Sequence, residues 1–198
     1  MSTVAATVVI LAGGKSRRFG SDKALLQWQG KTLPERIAEE CRPLFDEILV
    51  IDDVKGKIQI PGVRELQDIY PERGPLGGIY TGLAYACNEW VFAVACDMPF
   101  FRAEAAVRLL EFVCDCDAVV PKRKEELQPL FAAYRKSVLS VVEQMLLEKE
   151  YSVRNLFSKV RTQYVEGSLL MPFQQELAQD LFFNVNYPED RQRLGECL

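Results

Sequence analysis

A group of glycines and cations follows the first apolar run of the chain. Val8–Leu11 is apolar, and Gly13 and Gly14 come directly after Ala12. Four cations then fall within nine residues: Lys15, Arg17, Arg18 and Lys23. Glycines let a backbone approach a ligand closely, and cations add charge for phosphates. The pattern predicts a phosphate-binding loop at the end of a strand; a solvated turn whose cations face water is the alternative.

This loop matches neither common nucleotide-binding fingerprint. Gly14, Lys15 and Ser16 fit the second half of G-x-x-x-x-G-K-[ST], but Val9 stands where the first glycine is needed. The glycines at 13, 14 and 20 do not fit G-x-G-x-x-G either. The remaining pattern, a strand, a glycine pair and several cations, is suited to a ligand with the charge of a triphosphate.

Asp97 is the second candidate for chemistry, because it closely follows the apolar run Trp90–Ala95. A carboxylate at the end of a strand can bind Mg²⁺ together with substrate phosphates. The alternative is an N-cap for a helix that begins shortly afterwards, aided by Pro99. We favour the metal site, because the phosphate loop is predicted at the same edge of the sheet.

The composition excludes several classes of function. The 198 residues include no histidine, so Ser-His-Asp and Cys-His catalysis and histidine zinc sites are excluded. A net charge of −4 argues against general binding to nucleic acid. No run reaches the roughly 18 apolar residues of a membrane span. The six cysteines fit no C-x-x-C metal pair, so we interpret them as reduced thiols of a cytoplasmic protein.

Apolar runs of strand length alternate with helical patterns along the chain. The predicted strands are residues 4–11, 47–51, 63–66, 90–95, 117–121, 128–134 and 162–165. The predicted helices are residues 33–45, a helix that follows a glycine loop at 72–78 and runs to 86, then 103–114, 138–149, 153–159 and a last one from 188. The alternation predicts an α/β three-layer sandwich with a mostly parallel, mixed sheet. Ligands of such sheets bind beyond the carboxyl ends of the strands, which here are Leu11, Ile51, Leu66 and Ala95.

Five segments of the chain resemble molybdenum cofactor guanylyltransferases. They read LAGGKSRRFGSDKALL from residue 11, GPLGG from 74, CDMPF from 96, QPLFAAY from 128 and NVNYPED from 184. Their order and spacing match over nearly the whole chain. The resemblance implies a Rossmann-like nucleotidyltransferase fold of the glycosyltransferase-A kind in a single domain. Residues 1–100 would mainly bind GTP, and residues 101–198 would mainly bind molybdopterin.

The resemblance also implies an activity and its partners. GMP would pass from GTP to the terminal phosphate of molybdopterin or molybdenum cofactor, with Mg²⁺ assisting and pyrophosphate leaving. The alternatives are cytidylyl transfer to molybdopterin, another nucleotidyltransferase of the same fold, and a non-catalytic nucleotide-binding adaptor. Chaperones of molybdoenzymes are further partners that the resemblance suggests, whereas nucleic acid and membranes are not expected.

Carried over onto this chain, the resemblance assigns residues to the nucleotide. The residues against the guanine nucleotide or its phosphates would be Leu11, Ala12, Gly13, Gly14, Arg18, Lys23 and Asp68. Arg18, Lys23 and Asp97 would carry the catalysis, with Asp97 as the Mg²⁺ ligand. For Asp68 the alternative is a turn carboxylate before Tyr70.

The acceptor side is assigned in the same way. The resemblance places Gln128, Asn184 and Asn186 at the acceptor, the two asparagines also near the metal. A basic run at 122–124 could face the phosphate of the acceptor or form a solvated hairpin tip, and Arg154 and Asn155 could also face the acceptor.

The chain departs from the family at two positions. Phe19 replaces the usual Met, and Ile51 stands where some members have an asparagine that contacts the nucleotide. Ile51 has no side-chain hydrogen-bonding group, so Asp52 or backbone groups would have to make that contact.

Overall fold

The apolar runs form a central sheet in the computed structural model, which describes residues 3–13, 23–171, 180–187 and 190. The strands are β1 (Val4–Leu11), β2 (Gln27–Trp28), β3 (Lys31–Thr32), β4 (Phe45–Asp52), β5 (Arg64–Gln67), β6 (Trp90–Ala95), β7 (Ala118–Arg123), β8 (Glu126–Leu127), β9 (Phe131–Arg135) and β10 (Thr162–Glu166). The helices are α1 (Leu33–Cys41), α2 (Pro75–Tyr85), α3 (Ala103–Leu110), α4 (Leu139–Leu147) and α5 (Val153–Leu156).

The eight-stranded sheet is mostly parallel, as the sequence predicts. Its order is β10-β7-β9-β6-β1-β4-β5, and β8 pairs with β7. β1 is parallel to both β4 and β6, and β4 is parallel to β5. β9 runs antiparallel between β6 and β7, which makes the sheet mixed. The carboxyl ends of β1, β4, β5 and β6 therefore share one edge.

Helices cover both faces of the sheet and complete the predicted three layers. Val8 and Ile10 of β1 pack in one apolar cluster with residues of α1 and α3. Val9 and Leu11 point the other way, into a cluster with residues of α2 and α4. This alternation is the two-residue period of a strand that is buried on both faces. No helix within the described ranges is long and apolar enough to cross a membrane.

Helix α1 is shorter than the sequence pattern suggests. It begins with a capping box, in which the Glu35 amide donates to Thr32 Oγ1 and the Thr32 amide donates to Glu35 Oε2. It ends at Cys41 rather than at Phe45. Pro43 has no N–H for another helical hydrogen bond, and Phe45 already begins β4.

Two short strand pairings accompany the main elements. The β2–β3 hairpin turns at Gln29 and Gly30, both with positive φ, and the sequence analysis did not predict it. β8 pairs with β7 through a similarly short turn. The helix predicted from residue 188 lies outside the described residues, apart from Asp190.

Helix α2 approaches β1 more closely than a side chain would allow. A Cβ atom at Gly82 would lie 2.7 Å from Val9 Cγ2 and 2.8 Å from Val9 Cγ1. A Cβ atom at Gly78 would lie 2.8 Å from Leu11 Cδ2. Val9 is fully buried in a central strand, so it has little room to move.

Replacing Gly82 with alanine should therefore destabilise the protein. At an unobstructed helical position the same change adds about 1 kcal/mol of stability. Here the methyl group would overpack β1, and we expect the free energy of unfolding to fall by about 1–3 kcal/mol. Chemical denaturation measures the difference. The control is Ala84→Gly, on the exposed side of α2, which should lower the free energy of unfolding only by the difference in helix propensity, about 0.5–1 kcal/mol. A higher free energy of unfolding for Gly82→Ala would contradict the packing argument.

Candidate functional site

Two cavities adjoin at the carboxyl edge of the sheet. The first, of about 430 Å³, lies between the ends of β1, β4 and β5 and the start of α2, and we call it the β4 cavity. The second, of about 490 Å³, includes Asp97 beyond β6 and residues 126–130, and we call it the Asp97 cavity. Leu11, Gly13 and Pro75 line both. A ligand that spans the two cavities would therefore pass the end of β1.

The end of β1 is tied to the end of β4. The amides of Ala12 and Gly13 both donate to the Ile51 carbonyl, at 2.9 and 3.1 Å. A Cβ atom at Gly13 would lie 2.9 Å from Asp53 Oδ1 and 3.0 Å from Asp53 N, so a larger residue does not fit without a shift. Gly13 thus allows a close approach to Asp53, and the amides of Ala12 and Gly13 are engaged inside the protein rather than offered to a phosphate. The predicted approach of the glycines to a ligand stays a prediction.

Asp68 lines the β4 cavity and also forms a turn. Its Oδ1 accepts from the Tyr70 amide at 3.0 Å and from Thr81 Oγ1 at 2.8 Å. The side chain is only 8% exposed, and Gly77 of α2 packs against it. The turn role that the sequence offered as an alternative is therefore present, and the carboxylate still faces the cavity.

The environment of Asp68 disfavours its charged form. Burial raises the pKa of the Asp68 carboxyl above its usual value, and the nearby Asp53 carboxylate raises it further. The hydrogen bonds from Thr81 and Tyr70 oppose this shift without cancelling it.

Asp97 lies beyond β6 in the second cavity, beside the end of β1. The amide of the intervening Cys96 donates to the Leu11 carbonyl at 3.0 Å. The Asp97 carbonyl accepts from the Val185 amide at 2.9 Å, which holds the segment around Val185 against this edge. Asn184 and Asn186 flank Val185, and both line the Asp97 cavity. The structure thus brings together Asp97 and the two asparagines that the family resemblance assigned to the acceptor.

Asp190 shapes the turn that carries Asn186. Its Oδ2 accepts from the amides of Asn186 and Tyr187, at 2.7 and 2.8 Å. Asp190 is the last residue of the NVNYPED segment, and neither its residue type nor its spacing pointed to this role. The Asn184 amide nitrogen donates to the Phe182 carbonyl at 3.2 Å. Local hydrogen bonds thus hold the backbone at Asn186 and the side chain at Asn184.

Gln128 and Arg154 also line the Asp97 cavity. The basic run at 122–124 does not: Lys122 pairs with Glu166 at 3.0 Å, and Lys124 occupies the β7–β8 turn with a φ of 56°. This is the hairpin tip that the sequence gave as an alternative.

Asn155 donates to Glu150 at 2.7 Å and is not a lining residue. Gly14 and Arg18, and the side chain of Lys23, lie outside the described residues.

The described residues fit a magnesium ion that binds mainly through the phosphates of a substrate and through one carboxylate. Within those residues, no three His, Cys, Asp or Glu side chains gather into a metal site. Mg²⁺ commonly binds through one or two carboxylates together with substrate phosphates and water. Asp97, half-buried beside the end of β1, is a donor of this kind.

Comparisons with known proteins agree with this geometry. A family model described as a MobA-like NTP transferase domain matches residues 8–164. A probable molybdenum cofactor guanylyltransferase from Pelotomaculum thermopropionicum is 38% identical over 186 residues, which cover 93% of this chain and 89% of that protein. One from Bacillus cereus is 36% identical, and the match covers 92% of each chain. This chain belongs to the molybdenum cofactor guanylyltransferase family.

A solved structure supports the assignment to this family. Molybdopterin-guanine dinucleotide biosynthesis protein A from Archaeoglobus fulgidus has a TM-score of 0.83 and 26% identity, over 96% of this chain and 97% of that one. The nucleotidyltransferase fold expected for a guanylyltransferase is confirmed. The chain is an enzyme of the nucleotidyltransferase class.

The guanylyltransferase site differs at Ile51 in a way that the structure clarifies. The Ile51 side chain is 2% exposed and packs in the cluster under α2, while its carbonyl accepts from Ala12 and Gly13. Asp52, the first substitute that the sequence suggested, is fully buried, with Lys57 Nζ 3.1 Å from its Oδ2. The next residue, Asp53, is half-buried on the wall of the β4 cavity, and the sequence analysis overlooked it. The signal that could have revealed it is the tandem Asp52-Asp53 at the end of β4.

Asp68→Asn should remove the charge of Asp68 and keep the hydrogen bonds that form its turn. The amide oxygen can still accept from Thr81 and Tyr70, while the buried charge is lost. Because the folded protein raises the pKa of Asp68, the ionised form opposes folding at pH 7. We expect a Tm at pH 7 that is unchanged or up to about 4 °C higher. The difference should shrink as the pH falls through the raised pKa, where the wild-type carboxyl takes up a proton.

Thermal unfolding between pH 4 and 8 measures this effect. Asp68→Ala is the control, because it leaves the Tyr70 amide and the Thr81 hydroxyl without their acceptor and should lower the Tm. Equal losses for the asparagine and alanine variants at pH 7 would contradict the charge argument.

Proposed function

We propose that this chain transfers GMP from GTP to the terminal phosphate of molybdopterin, forming molybdopterin guanine dinucleotide and releasing pyrophosphate. The observation that carries the proposal is the pair of cavities that meet at Leu11 and Gly13. One cavity can take the nucleoside end of GTP and the other the acceptor phosphate. The α-phosphate would then lie at the junction, beside Asp97. The names of the related proteins support guanylyl rather than cytidylyl transfer.

We assign the two substrates to the two parts of the chain that the resemblance implied. Residues 1–100 supply all the described residues that line the β4 cavity. Residues 101–198 supply Gln128, Arg154, Asn184 and Asn186 to the Asp97 cavity. The first part would mainly bind GTP, and the second would mainly bind molybdopterin.

Asp97 would hold Mg²⁺ together with the phosphates of GTP. When bound, the ion would neutralise phosphate charge and polarise the α-phosphate for attack. Asn184 and Asn186 lie in the same cavity and can hydrogen-bond the acceptor or the water shell of the ion. Such positioning by amides supplies orientation without adding charge.

The chemistry requires no basic side chain. The nucleophile is a phosphate oxygen of molybdopterin, which is already ionised near neutral pH because the second pKa of a phosphate monoester is about 6. A bond forms between this oxygen and the α-phosphorus of GTP, and the bond from the α-phosphorus to the bridging oxygen of pyrophosphate breaks. Arg18 and Lys23 would stabilise the charge that develops on pyrophosphate. The absence of histidine from the chain is compatible with this reaction.

We also propose a cytoplasmic enzyme that passes its product to molybdoenzyme chaperones. The described cysteines are free thiols, which suits a reducing compartment. The chaperone partners rest on the family resemblance alone.

Asp97→Ala should abolish most of the guanylyl transfer. Removing one electrostatic group of a comparable active site lowers kcat by roughly 10²–10³-fold. Pyrophosphate release from GTP, Mg²⁺ and molybdopterin measures turnover, and titration of GTP with and without Mg²⁺ measures the metal dependence of binding. We expect the variant to lose most of its turnover and the Mg²⁺ dependence of its GTP binding. Asp115→Ala is the control, because Asp115 is 89% exposed and lines neither cavity.

The same assays distinguish the alternatives. Turnover of Asp97→Ala close to that of the wild type would contradict the metal role. Stronger wild-type binding of CTP than of GTP would make the product a cytosine dinucleotide. Nucleotide binding without any pyrophosphate release would support the alternative of a non-catalytic nucleotide-binding adaptor.

A further inference from the structure

A small apolar cluster lies apart from the two clusters that cover the sheet. Its members come from the β2–β3 hairpin and its flanks, from the loop after β6 and from the segment that follows residue 180. They are Leu26, Trp28, Leu33, Phe100, Phe183 and Val185. None of these residues belongs to a strand of the eight-stranded sheet, so the cluster joins segments of the chain that the sheet does not join.

Two of these segments carry residues of the Asp97 cavity. Phe100 follows Asp97 by three positions, and Phe183 directly precedes Asn184. Val185 is fully buried in the cluster, and its amide donates to the Asp97 carbonyl at 2.9 Å. The two asparagines on either side of Val185 line the cavity. Their position relative to Asp97 therefore depends on how this cluster packs.

Three aromatic rings connect the segments in a row. The rings of Trp28 and Phe100 meet edge to face, with their centroids 5.7 Å apart and their planes at 84°. The rings of Phe100 and Phe183 have centroids 5.8 Å apart and planes at 40°. Aromatic pairs at these distances attract each other beyond the burial of their apolar surface. We call Trp28, Phe100 and Phe183 the aromatic row, and it links the loop after β6 to the residue before Asn184.

Helix α1 fixes the Trp28 end of the aromatic row. The Arg36 Cζ atom lies 4.1 Å from the centroid of the Trp28 ring, within the range of a cation–π contact. Arg36 Nη1 also donates to Gln29 Oε1 in the hairpin turn at 3.0 Å, and the Leu33 amide donates to the Leu26 carbonyl at 3.2 Å. Because α1 packs on the sheet, Trp28 is the end of the row that is attached to the body of the protein.

We propose that Trp28 is a positioning residue, which through the aromatic row holds the segment of the two asparagines at the distance from Asp97 that the acceptor requires. The inference rests on the proposed function, in which Asp97 and the asparagines face the metal and the acceptor. Trp28 itself lines neither cavity, so it acts through its neighbours and does not touch a substrate. A shift of about 1 Å, caused far from the reacting atoms, can lower a rate on the order of 100-fold.

Trp28→Ala removes the attached end of the row, and Trp90→Ala is its matched control. Trp90 is the other tryptophan of the chain and is also half-buried, but it lies at the amino end of β6, at the edge of the sheet opposite the cavities. Trp28→Phe keeps a ring at the same position and tests for rescue. Phe100→Leu weakens the middle of the row and carries the test if Trp28→Ala does not fold.

Three measurements would be made on each variant. Hydrogen exchange of residues 181–187 reports whether the segment is held, without reference to any substrate. Pyrophosphate release at varied molybdopterin gives kcat and KM for the acceptor. The Kd of GTP without Mg²⁺ reports the nucleotide side alone.

In Trp28→Ala, residues 181–187 should exchange faster than in the wild type, because the bond from the Val185 amide to the Asp97 carbonyl loses its support. We expect kcat/KM for molybdopterin to fall roughly 10–100-fold. The Kd of GTP should stay within about threefold of the wild-type value, because no residue of the aromatic row is among the described lining of the β4 cavity.

The other variants should follow the same logic. Trp28→Phe should recover most of the wild-type kcat/KM, since it restores an aromatic contact with Phe100. Phe100→Leu should show the same pattern as Trp28→Ala, with faster exchange and a lower kcat/KM at unchanged GTP binding. Trp90→Ala should leave the exchange of residues 181–187 at the wild-type rate and kcat/KM within about threefold of the wild-type value.

The inference fails if Trp28→Ala leaves both the exchange of residues 181–187 and the kcat/KM for molybdopterin as they are in the wild type; the proposed function then stands. It also fails if Trp28→Ala and Trp90→Ala lower kcat/KM and GTP binding alike, because Trp28 would then support only the general stability. If the wild type releases no pyrophosphate, the proposed function fails and takes the acceptor role of Trp28 with it, even where the exchange data show that Trp28 holds the segment.

Discussion

The close contact between helix α2 and strand β1 is the constraint on which the site depends. Gly78 and Gly82 remove the side chains that would hold the helix away, so the backbone of α2 rests on Leu11 and Val9. Gly77 does the same against Asp68 and the Tyr70 carbonyl. The start of α2 therefore lies at the carboxyl edge of the sheet, where Pro75 lines both cavities. A helix set further out would leave no shared wall between the two cavities.

The second part of the site is built from the far end of the chain and needs its own connections. The Val185 amide binds the Asp97 carbonyl, so the segment with Asn184 and Asn186 reaches the edge formed by β1 and β6. Arg73, in the loop before α2, donates to the Tyr151 hydroxyl at 2.6 Å. Tyr151 lies just before α5, which carries Arg154 into the Asp97 cavity. These two links connect the loop before α2 and the edge at β6 with the segments that carry Arg154, Asn184 and Asn186.

The sequence predicted the sheet, its layers and the edge that binds ligands, because these follow from the periodicity of apolar residues and from general rules of α/β sheets. It could not predict which polar groups are engaged inside the fold. The Ala12 and Gly13 amides are occupied by a carbonyl of a neighbouring strand that begins over thirty residues later in the chain. Lys122 is paired with Glu166 through the β7–β10 pairing, which no local pattern indicates. The position of Asp53 at the wall of the β4 cavity, against Gly13, is likewise set by tertiary structure and not by a local pattern.

The charges of the two cavities explain why the reaction needs cations from elsewhere. The described walls carry acids on both sides, with Asp53, Asp68 and Glu72 in one cavity and Asp97 and Glu126 in the other, against the single guanidinium of Arg154 in those described walls. Both proposed substrates are phosphates, so bringing them together here would be strongly unfavourable without added positive charge. In the proposed reaction, the cations that the sequence carries at residues 15–23 and an ion at Asp97 would supply that charge. The acids of the β4 cavity would repel a triphosphate, so the proposed pose has the phosphates of GTP at the junction of the cavities and its uncharged nucleoside in the β4 cavity.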